Sequence, residues 1–393
     1  TWGNVSARIS TDHFVITPSG RAYETLTPAE IVTVSAADGS YQGAIKPSSE
    51  KGIHAAVYRH RPEINFIIHT HQTDASVLSA LHLDIEEIDP DAAAIIGSSR
   101  IPCASYGLPG SKKLQRGVVA ALSRSPGKAF LMAGHGALCF GENSAEAFAV
   151  AAELERISTA LIMRRYLRLS GGEREDWDEL RAYYLARLSP AASSSGLGEP
   201  AVRPLYSSER EGEQFKLYLN FKVTPGNSLS EEEQSWLRVG LESPPQDSPI
   251  SSEAEIHRRI YRKFKEIGAI VHAVTPDIVA LSQTGRAVYP LIDDFAQIIG
   301  AGARSAAGSP LSQAAGEVVQ KLRGRSAVMI RGHGALCCGP SLSDAAAAAQ
   351  VLDKGCRAVI GTAFFGGGRA ISPLESRLMR FVYLTRYSRQ AAT

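Results

Sequence analysis

The block Gly134-His135-Gly136-Ala137-Leu138-Cys139-Phe140-Gly141 returns as GHGALCCG at residues 332–339. Upstream, Ser-Ser-Glu at residues 48–50 returns at 251–253, and in both copies a histidine, a tyrosine and a second histidine follow at equal spacing. A weaker similarity links FVITPSG at 14–20 with FKVTPG at 221–226. Because the motifs keep their order over most of the chain, they indicate duplication of a whole domain rather than a short solenoid repeat.

The 393 residues exceed what one typical core requires, which also favours two domains. Between the copies lies a stretch rich in Ser, Gly and Pro, a composition typical of linkers. We therefore predict a first domain over residues 1–188, a linker over 189–212 and a second domain over 213–393.

Each copy combines apolar strands with amphipathic helices. Residues 65–69 and 129–132 have the short apolar runs of buried strands, and residues 143–167 have the pattern of a helix. Asn143 with Glu146 predicts a capping box at the start of this helix, and Ser341 with Asp344 occupies the same place in the second copy. The sequence thus predicts an α/β sandwich that occurs twice.

Composition favours small-molecule chemistry. Hydrophobic residues make up 44% and charged residues 21%, with a net charge of +2 and interleaved signs. No apolar run approaches the roughly 20 residues of a membrane span, and no basic patch predicts nucleic-acid binding.

The five cysteines never occur as C-x-x-C, so we expect neither a disulfide framework nor a thiolate zinc site, and we expect a cytoplasmic protein. The chain opens abruptly at Thr1, so we expect further residues before it.

Three histidines of the first copy form a candidate metal site. His69 and His71 alternate along a strand, so their side chains point to the same face about 7 Å apart. His135 lies between two glycines after another apolar strand, where the backbone can be approached closely. Three imidazoles leave a coordination position open, as a catalytic metal requires.

Glu50 is the candidate acid/base. A carboxylate beside a dication can coordinate the ion, or it can take a proton from a substrate carbon next to a polarised oxygen. The alternative is that Glu50 is a first-turn helix acid that pairs with Arg59.

These motifs together resemble the class II aldolase and adducin family, within it the bacterial fuculose-phosphate aldolases. The resemblance covers residues 2–170 and rests on Gly3-Asn4-Val5-Ser6, Ile16-Thr17-Pro18-Ser19-Gly20, Pro47-Ser48-Ser49-Glu50, His54, Arg61-Pro62, His69-Thr70-His71, Ile101-Pro102-Cys103 and His135-Gly136. It implies two tandem α/β/α sandwich domains, each with a central, mainly antiparallel sheet.

The resemblance also implies a function. We expect a lyase that uses Zn²⁺, or another divalent cation such as Mn²⁺ or Co²⁺, for reversible aldol cleavage of a small sugar phosphate through a metal-held enediolate. His69, His71 and His135 would hold the metal, and Glu50 would move the proton. The substrate phosphate would lie against Gly3, Asn4, Ser19, Gly20, Ser48 and Ser49.

The resemblance departs from the family pattern at one catalytic position. A family tyrosine that protonates the leaving aldehyde should precede Ile101 by ten residues, and Asp91 stands there. Relatives with the same site run sugar-phosphate epimerisation or oxo-acid decarboxylation, and both reactions stay open as alternatives. The rival from another class is a non-catalytic, adducin-like assembly module, which would not need three histidines and a glutamate.

The second copy keeps Glu253, His272 and His333 as a possible residual site. Val274 replaces the counterpart of His71 and cannot bind a metal, and no counterpart of the Gly3-Asn4 loop is recognisable near residues 216–219. We therefore expect a degenerate second domain.

Family enzymes form rings whose active sites lie at subunit boundaries, so the resemblance also implies an oligomer. We expect a dimer of tandem chains or a larger even assembly, in which the second copy forms a wall of the first copy's site. The tail residues Phe381, Tyr383, Arg386 and Tyr387 would either reach a partner site or form the apolar face of the last helix.

Overall fold

The computed structural model describes residues 3–21, 23–86, 88–188, 205–219, 235–242 and 251–387. The chain forms two compact units, and each draws on both halves of the sequence. The first unit consists of residues 1–175, 291–293 and 361–393, and the second consists of residues 176–290 and 294–360. Short segments are thus exchanged between the repeats. The predicted boundaries at 1–188, 189–212 and 213–393 stay a prediction about the sequence copies.

The first unit is built on a seven-stranded sheet. Its strands are β1 (Gly3–Arg8), β2 (His13–Ile16), β3 (Val32–Ser35), β4 (Phe66–Thr70), β5 (Cys103–Ala104), β6 (Ala129–Met132) and β7 (Gly136–Gly141). They lie in the order β3-β2-β1-β4-β7-β6-β5. Only β5 and β6 run parallel, so the sheet is mainly antiparallel.

Helices cover this sheet, and their apolar faces close its core. They are α1 (Lys51–His60), α2 (Thr73–Ser79), α3 (Pro90–Ile96), α4 (Lys112–Leu122) and α5 (Ser144–Ser170). Helices α1 and α4 pack together over alternate sheet residues such as Ile67 and Leu138. Helix α5 packs with α2 and α3 and also contacts β4 and β7. Asn143 caps α5 by accepting a hydrogen bond from the Glu146 backbone, which is one half of the predicted capping box. The other half is not formed, because the Glu146 carboxylate accepts from the Glu142 N–H at 2.6 Å.

The second unit repeats the architecture strand for strand. Its strands are β8 (Ser207–Glu211), β9 (Gln214–Tyr218), β10 (Trp236–Gly240), β11 (Ala269–Ala273), β12 (Arg304–Ala306), β13 (Ala327–Ile330) and β14 (Gly334–Gly339). They lie in the order β10-β9-β8-β11-β14-β13-β12. The predicted fold class, two α/β domains with mainly antiparallel sheets, is confirmed.

The remaining helices complete both units. They are α6 (Trp177–Tyr183), α7 (Ser251–Lys263), α8 (Pro276–Gln283), α9 (Asp293–Ile298), α10 (Leu311–Leu322), α11 (Leu342–Ala363) and α12 (Pro373–Val382). Helix α6 follows the first sequence copy but belongs to the second unit, and α12 follows the second copy but belongs to the first. None of the helices in the described ranges is both long and apolar enough to cross a membrane.

The start of the second copy differs from the sequence expectation. Strand β8 lies within the segment predicted as linker, because its buried serines continue the core pattern of β1. The FKVTPG motif at 221–226 lies outside the described residues. In β9, the ring centroid of Phe215 lies 5.2 Å from that of Tyr261, as Phe14 lies 5.1 Å from Tyr58 in the first unit.

A buried polar triad recurs under both sheets. In the second unit the Ser208 hydroxyl lies 2.7 Å from Nδ1 of His257 and 2.8 Å from the Tyr261 hydroxyl. Nε2 of His257 donates to the Leu205 carbonyl at 2.8 Å. A carbonyl can only accept, so Nε2 carries a proton, and the Ser208 hydroxyl can donate to Nδ1 of the neutral ring. Burial lowers the pKa of His257 to about 4, and the Leu205 carbonyl acts in the opposite direction.

This triad predicts acid sensitivity. The unfolded chain takes up the His257 proton below about pH 6.5 and the folded chain only near pH 4, so stability is lost as the pH falls through this window. We expect wild type to lose about 1 kcal/mol through His257 between pH 7.5 and 5.5, measured by urea unfolding. His257→Gln should lose correspondingly less over that interval. His13→Gln, at an exposed histidine, should behave as wild type, and an unchanged slope in H257Q would contradict the prediction.

Candidate metal centre and active site

The first unit brings its three predicted histidines together. Nε2 of His69 lies 2.9 Å from Nε2 of His71 and 3.1 Å from Nε2 of His135. One ligand atom from each residue lies within 4.8 Å of the others, and this is the one such group of three or more among the described residues. The spacing suits three ligands around one ion.

Close packing of β4 against β7 makes this convergence possible. Thr70 pairs with Ala137 across the two strands, so the ends of β4 and β7 meet where the histidines project. A Cβ atom on Gly136 would lie 2.5 Å from the Thr70 carbonyl oxygen and 3.0 Å from the His71 ring. Glycine is therefore required beside His135. The space that it leaves is needed by the backbone of β4.

The outer ring nitrogens of two histidines are held by acceptors. Nδ1 of His69 donates to the Ala137 carbonyl at 2.9 Å, and Nδ1 of His135 lies 2.9 Å from a carboxylate oxygen of Asp293. The Ala137 carbonyl keeps the His69 proton on Nδ1, and the charge of the Asp293 carboxylate favours a proton on Nδ1 of His135, so each ring can direct an Nε2 lone pair to the centre. Lone pairs that converge at about 3 Å repel unless a cation or proton lies between them, so the donor set fits a divalent metal.

Glu50 lies at the same point, immediately before α1. Its two carboxylate oxygens lie 3.2 Å from Nε2 of His69 and 3.1 Å from Nε2 of His135, and the Asn4 amide donates to it at 2.8 Å. Burial opposes its ionisation, but the neighbouring histidines outweigh this and hold its pKa well below the usual range. Glu50 is thus an anion at neutral pH.

The alternative role for Glu50 is wrong. Arg59 donates instead to the backbone carbonyls of Ala36 and Ala37. Glu50 does stand at the N-cap of α1, yet it caps no backbone group with its side chain. The carboxylate is therefore available to the histidine cluster.

The loops predicted to bind phosphate are adjacent, with one member in another role. Ser19 N donates to the Lys46 carbonyl and Ser48 N donates to the Thr17 carbonyl, which joins the turns carrying Ser19-Gly20 and Ser48-Ser49. Asn4 is buried on β1 and contacts Glu50. Gly3 has a φ of +118°, and a Cβ there would lie 2.2 Å from the His69 carbonyl oxygen.

The counterpart residues of the second unit do not converge. Nδ1 of His272 accepts from Leu205 N at 3.2 Å, and its Nε2 donates to the His333 carbonyl at 2.6 Å. Nε2 of His333 lies 3.1 Å from the Gly308 carbonyl oxygen. A neutral imidazole has one lone pair, and the backbone uses that of His272. Glu253 is buried on α7. The described residues hold no second metal-ligand cluster.

Sequence reasoning missed Asp293. This residue stands at the start of α9 in the second sequence copy, yet residues 291–293 belong to the first unit. The repeat aligns Asp293 with Pro90, since both begin the helix that precedes the short parallel strand, but Pro90 has no site role and the alignment gives no functional signal. Asp91, at the position where the resemblance led us to expect a tyrosine, is exposed on α3.

The structure describes most of the C-terminal tail, for which the sequence left two interpretations. Helix α12 ends at Val382 and a π-helical turn covers residues 383–387. Phe381 is 64% exposed, and Leu374 and Leu378 share its exposure at helical spacing. The predicted apolar face thus exists but points outward. The side chains of Arg386 and Tyr387 lie outside what the structure describes.

Comparison with known proteins agrees with this geometry. The sequence profile of the class II aldolase and adducin N-terminal domain family matches residues 1–162 and again 226–360. Both sequence copies are therefore recognised, and together they cover most of the chain. The chain belongs to the class II aldolase and adducin family.

Individual relatives match the first copy. L-fuculose phosphate aldolase of Haemophilus influenzae is 37% identical over 159 residues, which cover 40% of this chain and 71% of that protein. A 5-methylthioribulose-1-phosphate/5-deoxyribulose-1-phosphate aldolase of Escherichia coli is 38% identical over 162 residues, 41% and 74% of the two chains. A solved L-fuculose 1-phosphate aldolase is 29% identical, with a TM-score of 0.39 over 44% of this chain and 78% of that one.

The geometry predicts one tightly held divalent ion per chain, because one cluster presents three imidazole lone pairs to a common point. Elemental analysis after dialysis against a weak chelator should find about one equivalent in wild type and far less in His69→Ala. The matched controls are His60→Ala, whose ring contacts the Ala56 carbonyl, and His272→Ala in the second unit. Two equally resistant ions, or full retention in H69A, would contradict the assignment.

Proposed function

We propose that the first unit catalyses reversible aldol cleavage of a small phosphorylated sugar and uses zinc or a similar divalent cation. The observation that carries this proposal is the convergence of His69, His71 and His135 on an ionised, buried Glu50. The first-copy relatives in H. influenzae and E. coli carry the names of sugar-phosphate aldolases, which supports a lyase.

The division of labour follows from the positions of the side chains. A bound divalent ion would supply Lewis acidity and so stabilise negative charge on substrate oxygens. Glu50 is ionised and can accept a proton from a substrate carbon beside those oxygens, then return it. The Asn4 amide fixes one Glu50 oxygen at 2.8 Å and thereby orients the base. Asn4 thus contributes by holding Glu50, whatever its part in phosphate binding.

Phosphate recognition is assigned to the joined turns. Ser19, Gly20, Ser48 and Ser49, with Gly3, lie near the N-terminus of α1, and the serine hydroxyls can donate to an anion. The backbone N–H groups of Ser19 and Ser48 already bond the Lys46 and Thr17 carbonyls, so the N–H groups left for a phosphate are those of the other residues of these turns. Donors of this kind in small-residue turns suit a phosphate dianion. The turn at 48–49 directly precedes Glu50, so a phosphate held there would place the rest of a small substrate toward the base.

The alternatives differ from this proposal at testable points. An adducin-like assembly module has no physical need for a buried glutamate among three histidines, whereas the second unit, with its imidazoles turned to the backbone, has the features expected of such a module. Epimerisation or decarboxylation would use the same metal and base. The absence of the family tyrosine at Asp91 keeps these two reactions open as alternatives.

The reaction class can be read from products. Metal-replete protein should release dihydroxyacetone phosphate from a ketose 1-phosphate such as L-fuculose 1-phosphate, and in D₂O it should exchange a proton of dihydroxyacetone phosphate. Epimer formation without cleavage, or release of CO₂ from an oxo acid, would favour the alternatives. If the protein binds metal but turns over none of these substrates, the assembly module would be the remaining interpretation.

Glu50→Gln should keep the fold but lose proton exchange, because the amide preserves shape and removes the base. We expect at least a 100-fold lower rate of deuterium incorporation, followed by NMR, with metal content retained. Glu63→Gln changes a more exposed glutamate of the same unit and should exchange at the wild-type rate. Wild-type exchange in E50Q would remove Glu50 from the reaction.

We also propose a homo-oligomer, a dimer of tandem chains or a larger even assembly. The exposed apolar side chains of α12, Leu374, Leu378 and Phe381, lie on one face and have the character of a contact surface. Light scattering should therefore give at least twice the 42.0 kDa chain mass. Phe381→Glu should lower the assembled mass, and a monomeric wild type would refute the proposal.

A further inference from the structure

Asp293 is buried against the histidine cluster at two points. Its side chain is fully buried, and Oδ2 lies 2.9 Å from Nδ1 of His135. Its backbone N–H donates to the Gly134 carbonyl at 2.8 Å, on the residue just before that histidine. One residue of the second sequence copy thus contacts both the ring of His135 and the turn that carries it.

A third contact fixes the carboxylate itself. The Tyr106 hydroxyl lies 3.3 Å from Oδ1 of Asp293, so the two carboxylate oxygens face different partners. Tyr106 stacks on His82 with ring centroids 6.0 Å apart, which restrains the tyrosine ring. The carboxylate cannot rotate without losing one of these contacts. The Tyr106 hydroxyl therefore helps to fix the orientation of the carboxylate toward His135.

The other copy supplies a natural comparison. The counterpart of His135 is His333, whose Nε2 lies 3.1 Å from the Gly308 carbonyl oxygen rather than in a metal cluster. His69, for its part, is oriented by the Ala137 carbonyl of the neighbouring strand. His135 follows a turn with a left-handed glycine, Gly134 at a φ of +60°, and is held on its outer side by a carboxylate instead.

We propose that Asp293 is a positioning residue: it orients the ring of His135 and thereby increases the affinity of the histidine cluster for metal. Tyr106 in turn anchors Asp293. The inference rests on the proposed metal centre and adds to it a residue from the other sequence copy. An anionic acceptor fixes the Nδ1–H tautomer and makes Nε2 a stronger donor to a cation than a neutral carbonyl does. Metal affinity in the intact copy would then depend on the degenerate one, which gives a physical reason for its retention.

The test is metal affinity in the full chain, measured with Co²⁺ against a competing chelator and by the visible absorption of bound Co²⁺. Asp293→Asn keeps an oxygen acceptor but removes the charge, and Asp293→Ala removes both. We expect affinity to fall about 10-fold or more in D293N and further in D293A, with an altered Co²⁺ spectrum. Tyr106→Phe should weaken binding less, because only the anchor is lost.

Two controls separate a local effect from general damage. Asp84→Asn removes a carboxylate of the first unit that binds Arg100, Arg124 and the Cys103 backbone but no histidine, and it should leave affinity and spectrum unchanged. The urea midpoint of each metal-free variant reports folding. Affinity in D293N and D293A within twofold of wild type, or an equal loss in D84N, would overturn the inference. If wild type itself binds no Co²⁺, the proposed metal centre fails instead.

Discussion

The pairing of β4 with β7 is the constraint on which the site depends. Thr70 lies opposite Ala137 in this pairing. The register places the end of β4, with His69 and His71, next to the turn that carries His135. The strands can meet so closely only because Gly136 leaves room for the Thr70 carbonyl. The same contact supplies the Ala137 carbonyl that orients His69. Fold and metal site therefore share one set of backbone interactions, and a register shift would dismantle both.

The second unit keeps the fold of the first but not the convergence of its histidines. Its sheet has the same strand order, and the buried Ser-His-Tyr triad persists with nearly identical distances. The ligand positions differ: Val274 removes one imidazole, and the ring of His272 turns to backbone groups at Leu205 and His333. The triad belongs to the core that both units keep, whereas the convergence of imidazoles is found in the first unit. The core and the ligand arrangement are thus physically separable.

Much of this architecture was predictable from the sequence because the signals were local. The alternation in His69-Thr70-His71, the apolar runs at β4 and β6 and the cap at Asn143 each depend on neighbours a few residues away. The start of β8 was missed because Ser207 and Ser208 sit in a polar stretch that lacks a hydrophobic pattern. Phe215 packs on the helix tyrosine of the second unit, as Phe14 does in the first, although the repeat similarity of FVITPSG did not include it.

Asp293 was the hardest residue to foresee, because nothing in its local sequence distinguishes it from the adjacent Asp294. The two neighbours have different partners: Asp294 forms an ion pair with Lys354 in the second unit, while Asp293 faces His135 in the first. Helix α9 begins at Asp293, so the two side chains leave successive helix positions, about 100° apart around the axis. A duplicated chain can therefore divide one helix terminus between two tasks, a structural ion pair and a contact to the candidate metal centre. Such a division makes the two sequence copies unequal and links a residue of the second copy to the histidines of the first.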